Sequence, residues 1–335
     1  MAATNYKHRL QVKHCCVGRR LIGNIVIWQI YFWLLIQMKY ELYHDESQIN
    51  GFWHGMLLVP VNGKKSLLEL LLTARKNIGY DEKISLKQVK QVNSKKYSLV
   101  DSWLQIGTLA LIHKLKKSEP FFLGERVNGK KQYTFFKNLI GCKFILFREL
   151  DNHSKMQLHR DYASKIETTF RMGFKGGMHY LGDENNPIEI TKIHFDGYEH
   201  LQRRTDKNRI INRLGELKAF CKIEECDDLI DDRSSNHKAV ECQSYEDCQL
   251  LQLTDLLVGS FRTVLGYATR DLLKTLCKPA KLITDSYLRG YAGMRRSRWF
   301  GGFVMSQCYL KNGNWYFEGI TFNEDNHSEQ IKMNL

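Results

Sequence analysis

Two carboxylates stand where a structural sequence rarely places one. Asp45 lies in Tyr43-His44-Asp45-Glu46-Ser47, which ends a strand-like run. Asp255 lies inside the apolar helical run Leu251-Gln252-Leu253-Thr254-Asp255-Leu256-Leu257-Val258-Gly259. A charge in a buried element costs several kcal/mol, comparable with a domain's whole stability margin, unless it is paired or binds metal. A third carboxylate, Asp196, follows the alternating run Ile188 to Phe195 and precedes Gly197. Acids converging from two strand ends and a helix would make a hard, oxygen-rich site. That donor set suits Mg²⁺ or Mn²⁺ rather than zinc. Such an ion holds a scissile phosphate, activates water and steadies the leaving oxygen.

The neighbours of these acids supply supporting chemistry. Gln252, Asp255, Gly259 and Arg262 recur at i, i+3, i+7 and i+10, which is one helical face. Arg262 is a candidate partner for Asp255, so a buried Asp–Arg or Asp–backbone bond is the structural alternative to a metal ligand. Glu46, Ser47 and Gln252 flank the acids as supporting residues. Lys87 and the cluster Arg295, Arg296 and Arg298, mixed with Tyr291, Trp299 and Phe300, are candidates for holding nucleic-acid phosphates.

Alternating strands and helices must position these residues. Strand patterns cover Tyr40 to His44, Phe52 to Val61, Cys142 to Arg148 and Ile188 to Phe195, with short candidates at Lys222 to Glu225 and Ala239 to Cys242. Asn62-Gly63 reads as a turn, and Ser66-Leu67-Leu68-Glu69 as a capping box opening a helix to about Lys76. Further helices are expected from Ser98 to about Lys116, from about His153 to Met172 with Gly176-Gly177 ending the region, from Leu201 to Phe220, from Leu250 to Leu265, and from Asp271 to Tyr291 with a break near Pro279. Residues 118–138 read as a loop with a turn at Asn128-Gly129, and the acidic stretch around Asp231 and Asp232 as an exposed loop. A hairpin around Asn312-Gly313 closes the chain. This order implies an α/β fold with a central mixed sheet, inserted helices and a C-terminal β-hairpin.

Bulk properties narrow the class. At 335 residues the chain holds one large domain or two ordinary ones. With only 4 Pro, long Pro-rich linkers are excluded. Nine scattered Cys form no dense disulfide framework, which points to a reduced, cytoplasmic setting. The x4 and x5 gaps of Cys221/Cys226 and Cys242/Cys248 fit structural zinc poorly, and buried free thiols are expected instead. The net charge is +14, of which the acid-free first 38 residues carry +5, leaving +9 for the rest. A basic body favours a polyanionic partner such as nucleic acid.

The first 38 residues form an extension before a natural start at Met38-Lys39. Leu21 to Met38 carries no charge over 18 residues and follows Arg19 and Arg20. It reads as an upstream extension foreign to the fold, as a marginal signal anchor interrupted by Asn24, Gln29 and Gln37, or as an extra packed helix.

The pair of motifs, Tyr43-His44-Asp45-Glu46-Ser47 and Leu251-Gln252-Leu253-Thr254-Asp255-Leu256-Leu257-Val258-Gly259, resembles the bacterial and phage domain of unknown function 3800 family. That family looks like a branch of the ribonuclease H-like superfamily. The resemblance spans about residues 39–270, with 271–335 as a helix-and-hairpin extension of the same domain. It implies a ribonuclease H-like sheet with acids on the first strand, the fourth strand and the last core helix, where Asp45, Asp196 and Asp255 fall in order. Three positions depart from the pattern. Gln48 replaces a Gly, Ser85-Leu86-Lys87 lacks the acid of a middle Glu-x-Lys, and Ser244-Tyr245 replaces an Asp-Ser pair, although Glu246 and Asp247 follow.

The expected function is a Mg²⁺- or Mn²⁺-dependent nuclease or related phosphoryl-transfer enzyme acting on DNA or RNA. The first alternative is a catalytically degenerate nucleic-acid-binding or assembly module, with protein partners in a defence or mobile-element system. The second is a membrane-tethered protein, which requires residues 21–38 to be a genuine anchor.

Overall fold

The computed structural model describes residues 39–48, 51–112, 119–136, 140–150, 162–182, 188–196, 214, 221–223, 229–232, 245–267, 271–291, 302–311 and 314–320. Chain contacts separate residues 1–38 from residues 39–335. The expectations for residues 1–38 lie outside the described residues. So do those for the charged helix from Leu201 to Phe220, apart from Leu214, and for the strand from Ala239 to Cys242.

Two apolar runs start the fold. β1 (Lys39–Ser47) and β2 (Phe52–Pro60) pair antiparallel, and every residue of β2 is buried. Gly51 lies between them with φ +109°, a conformation that favours glycine. α1 (Val61–Ile78) begins directly at the end of β2, so Asn62-Gly63 lies within its first turn and is not a separate turn. Pro60 ends the strand with an extended backbone and stands at the helix N-cap. The helix therefore starts one turn before the Ser66 capping box, and it ends on Gly79 in the left-handed conformation.

A 3-10 turn (Leu86–Gln88) leads to α2 (Lys95–Ala110), capped by the Ser94 hydroxyl, which accepts from the Tyr97 N–H at 3.1 Å. α2 ends at Ala110, short of the expected Lys116, and residues 113–118 lie outside the described residues. The stretch expected as loop instead contains a small hairpin, β3 (Glu119–Val127) and β4 (Lys130–Phe136), which forms its own two-stranded sheet. Asn128-Gly129 is its turn, with positive φ at both residues, as a two-residue hairpin turn requires.

β5 (Lys143–Glu149) returns to the main sheet. α3 (Tyr162–Leu181) then runs straight through Gly173, Gly176 and Gly177, where an end was expected. Packing explains why. A Cβ at Gly173 would lie 2.6 Å from Phe147, and one at Gly177 2.4 Å from Ile145, so the glycines let the helix approach β5.

The remaining elements are β6 (Ile188–Asp196), β7 (Cys221–Lys222), β8 (Leu229–Asp232), α4 (Tyr245–Arg262), α5 (Asp271–Leu276), α6 (Lys278–Tyr291), β9 (Phe303–Lys311) and β10 (Asn314–Gly319). The stretch expected as an acidic loop thus contributes a strand, with Asp231 and Asp232 in β8. A wide helical turn, Thr263–Tyr267, ends α4 at Gly266 with φ +88°. The break near Pro279 falls at Cys277, between α5 and α6.

The protein is α/β with a mixed sheet flanked by helices. The sheet order is β10-β9-β5-β2-β1-β6-β7, and β8 also pairs with β6. β2 is antiparallel to β1 and β5, whereas β6 is parallel to β1 and β9 is parallel to β5. The two faces of β1 show where the helices lie. The Tyr43 hydroxyl reaches Asp247 of α4, and the next residue, His44, meets Phe170 of α3 edge-on at 5.0 Å. α4 and α3 therefore cover opposite faces. The main core lies under α4, with Trp53, Leu57 and Phe144 from the sheet against Leu250, Leu257 and Phe261. Cys142, Cys221, Cys248, Cys277 and Cys308 are buried free thiols. Among the described residues no helix is long and apolar enough to cross a membrane.

Candidate functional site

Alternation along β1 decides which side chains meet α4. Glu41, Tyr43, Asp45 and Ser47 are two residues apart and share a face. α4 lies close on this face because of Gly55, the residue opposite Asp45 in β2. A Cβ at Gly55 would sit 1.9 Å from Val258 Cγ2, so any side chain there would push the helix away. From Glu41 to Asp45 the strand advances about 13 Å. From Asp247 to Asp255 the helix advances about 12 Å. The strand and the helix run in the same sense, because Asp247 meets Tyr43 and Arg262 meets Ser47. Two acid pairs therefore lie along one seam.

The first pair is closed by its own cation. Lys64 Nζ of α1 donates to Glu41 Oε2 at 2.8 Å and to Asp247 Oδ1 at 2.7 Å. The Tyr43 hydroxyl stands 2.7 Å from the same two oxygens, and its single proton serves one of them at a time. His194 of β6 stacks on Tyr43 with ring centroids 4.4 Å apart, and its Nε2 lies 3.3 Å from Glu41 Oε2. Burial raises the Glu41 carboxyl. The hydrogen bonds from His194, Lys64 and Tyr43, with the Lys64 charge, outweigh it and hold the group well below the usual carboxylate range. Burial alone would lower the Lys64 ammonium, but Asp247 and Glu41 raise it above its ordinary value. Ligand atoms of Glu41, His194 and Asp247 lie within 4.8 Å of one another, so this group could hold a metal ion. Lys64 already puts a positive charge between two of its three members, and an ion binding there must displace that ammonium.

The second pair is Asp45 with Asp255. Both are half-buried, and the charges of both act on Arg262. Burial pulls the Arg262 guanidinium down from its ordinary value, and the charges of Asp255 and then Asp45 oppose that shift. Both carboxylates are therefore within electrostatic reach of one guanidinium. Its Nη1 donates to the Ser47 hydroxyl, which ties the end of β1 to the end of α4. Asp196 ends β6 at the same level. His44 pairs with Phe195 in register, so the positions after them, Asp45 and Asp196, are neighbours at the C-terminal ends of two parallel strands. Open α/β sheets place their ligand sites at such ends.

The other sequence-predicted residues divide. Ser47 joins the second pair through Arg262. Glu46 falls on the opposite side of the strand, since it pairs with His54, whose ring bonds Thr169 of α3 at 2.6 Å. Gln252 is a strut. Its Oε1 accepts from the Ile84 N–H at 3.0 Å and from Arg75 Nη2 at 3.3 Å, binding the segment before the 3-10 turn to α4. Lys87 is exposed on that turn, which packs on α4 where Leu86 meets Gly259. Arg295, Arg296 and Arg298 lie outside the described residues.

Sequence reasoning missed the first pair. Its signal was present: Glu41 precedes Asp45 by four strand residues, and Asp247 precedes Asp255 by eight helical ones. Both spacings keep the same face.

The fold and the seam define a class, an α/β protein of mixed sheet with paired acids between its first strand and a late helix. No protein-family model matches the chain, and no curated protein or solved structure matches it.

Proposed function

We propose that the chain is a ribonuclease H-like, divalent-metal-dependent nuclease or related phosphoryl-transfer enzyme acting on DNA or RNA. The observation that carries this reading is that Asp45 and Asp255, both half-buried along the seam of β1 and α4, lie within electrostatic reach of one guanidinium, Arg262. Two features support it further. Apart from the separate β3–β4 hairpin, β6 is the fourth strand of the main sheet, so acids fall on its first strand, its fourth strand and the late helix α4. The net charge of +14 suits a polyanionic substrate.

Asp45, Asp196 and Asp255 are the residues that would hold the metal, and their oxygen-only donor set fits Mg²⁺ or Mn²⁺. The bound ion supplies charge neutralisation at the phosphate and an acidified water. Arg262, which donates to Ser47, would offer a planar donor fork to a phosphate oxygen. Lys87, exposed on the turn that packs on α4, adds a second cation along the same helix.

A non-catalytic nucleic-acid-binding module is the second reading. It is favoured by Ser85, which is buried at 4% exposure where the resembling pattern carries an acid. Labelled single- and double-stranded DNA and RNA, incubated with Mg²⁺ or Mn²⁺, separate the two. Under the first reading the wild type cleaves one of them and Asp45→Asn, equally folded by circular dichroism, does not. Cleavage that persists in Asp45→Asn removes the assignment. Salt-sensitive binding without turnover supports the second reading.

A further inference from the structure

The sheet face opposite α4 carries a second concave feature. α3 and the β9–β10 hairpin enclose a pocket of about 470 Å³. That volume falls within the range of small-molecule sites, about 300–1,000 Å³. Gly176 keeps it open. Its two glycine neighbours, Gly173 and Gly177, are pressed onto β5, but a Cβ at Gly176 would meet nothing nearer than Ser306 Oγ at 3.9 Å.

Three observations describe what the space would take. Arg171, Lys175 and His179 recur every four residues of α3 and line one side, so basic groups from successive turns stand in a row. Tyr180 and Phe317 line it from two different elements, and they remain 41% and 56% exposed. Ser306 Oγ, also in the lining, is buried and has no hydrogen-bond partner among the described residues. Buried hydroxyls are nearly always bonded, so this one is suited to a ligand's polar group. The carboxylate in the lining, Glu318, accepts a hydrogen bond from Gln307 at 2.6 Å.

We propose that this pocket binds a small aromatic monophosphate of the size of a nucleoside monophosphate. A phosphate dianion, with three terminal oxygens, uses a row of basic side chains more fully than a carboxylate does. The rings of Tyr180 and Phe317 offer faces to a planar body. The pocket lies across the sheet from Asp45 and Asp255, and the inference does not depend on the activity proposed for them.

Calorimetric titration with adenosine 5′-monophosphate tests it, with adenosine and inorganic phosphate titrated separately. The nucleotide binds at one site per chain, and each half binds at least about tenfold more weakly. Gly176→Leu fills the space and removes binding, while its melting curve matches the wild type. Arg171→Gln, a second variant that leaves the helix contacts to β5 in place, weakens binding about tenfold. Asp45→Asn leaves binding unchanged. Absence of nucleotide binding to the wild type overturns the proposal. So does binding that survives Gly176→Leu or Arg171→Gln in folded protein, or binding lost in folded Asp45→Asn, which would place the nucleotide at the acid seam.

Discussion

β1 and α4 meet at two acid pairs, and the two meetings handle charge differently. At Glu41 and Asp247 a lysine ammonium lies 2.7–2.8 Å from both carboxylates, and a tyrosine hydroxyl and a histidine ring fill the remaining positions. At Asp45 and Asp255 the guanidinium on which both charges act donates to Ser47. Each pair has two acids and one cation. In the first, the cation occupies the point where the acids converge. In the second, the cation is tied to the strand end, and the acids stand half-buried at the C-terminal edge of the sheet. The same strand and helix thus carry a pair bridged by a buried lysine and a second, half-buried pair whose charges act on a guanidinium bonded elsewhere.

The largest effect should come from removing the cation of the first pair. Lys64→Met leaves Glu41 and Asp247 facing each other with side chains only 10% and 15% exposed. Breaking such a pair costs about 3–5 kcal/mol. Arg262→Met should cost less, because Asp45 and Asp255 keep more access to water. Urea unfolding of both variants measures the two losses. An equal or greater loss for Arg262→Met would erase the distinction between the pairs.

Divalent ions should respond in the opposite order. Mn²⁺ at about one hundred times its dissociation constant stabilises a binding protein by about 2.7 kcal/mol. The rise in melting temperature should vanish in Asp45→Asn and persist in Glu41→Gln. The reverse result would move the metal site to the Glu41, His194 and Asp247 group.

How much of this was legible follows from what each signal reports. Asp45 and Asp255 stood out because a charge interrupts an apolar period, and the charges of both act on Arg262. Lys64 gave no such signal. It follows Asn62-Gly63, a pair that reads as a turn, and only the start of α1 directly after Pro60 directs it at Glu41. Glu46 was misplaced because adjacency in sequence is opposition in a strand. Gln252 was misplaced because a helix face holds more than one neighbour, and this residue points at Ile84. The glycines of α3 read as a helix end because propensity is local, whereas their role is contact with Phe147 and Ile145. The opposed faces of α3 and α4 depend on pairing between strands far apart in the chain, and no local pattern carries it.

Close approach of α4 is common to both pairs, so Gly55 tests the seam as a whole. The Cβ of Gly55→Ala meets Val258 Cγ2 at 1.9 Å, far inside contact. Overpacking of this kind costs about 2 kcal/mol. The double variant Gly55→Ala/Val258→Ala, which removes the opposing methyl groups, should lose less than the two single costs added together. Additive losses in urea unfolding would mean that α4 is not held against Gly55.

The smallest effect isolates how the first pair is held. Tyr43→Phe keeps the ring on His194 and deletes the hydroxyl shared by Glu41 and Asp247, a loss of about 1 kcal/mol at neutral pH. Its pH dependence is more informative than its size. The Glu41 carboxyl is depressed in the folded state, so its contribution is fully present above the ordinary value of 4.5 and is lost as the pH falls from there through the folded value. The Tyr43 hydroxyl is one of three donors responsible for that depression. The variant's Glu41 should therefore protonate at a higher pH than the wild type's, and, because the unfolded value is common to both, the wild-type advantage should shrink only as the pH falls through the variant's folded value, below 4.5. Lys64 titrates far above this window and adds nothing to the difference there. A Glu41 carboxyl that titrates at the same pH in folded Tyr43→Phe and wild type, followed by NMR, would show that Tyr43 stabilises the seam by packing alone, with the charge of the first pair held by Lys64 and His194.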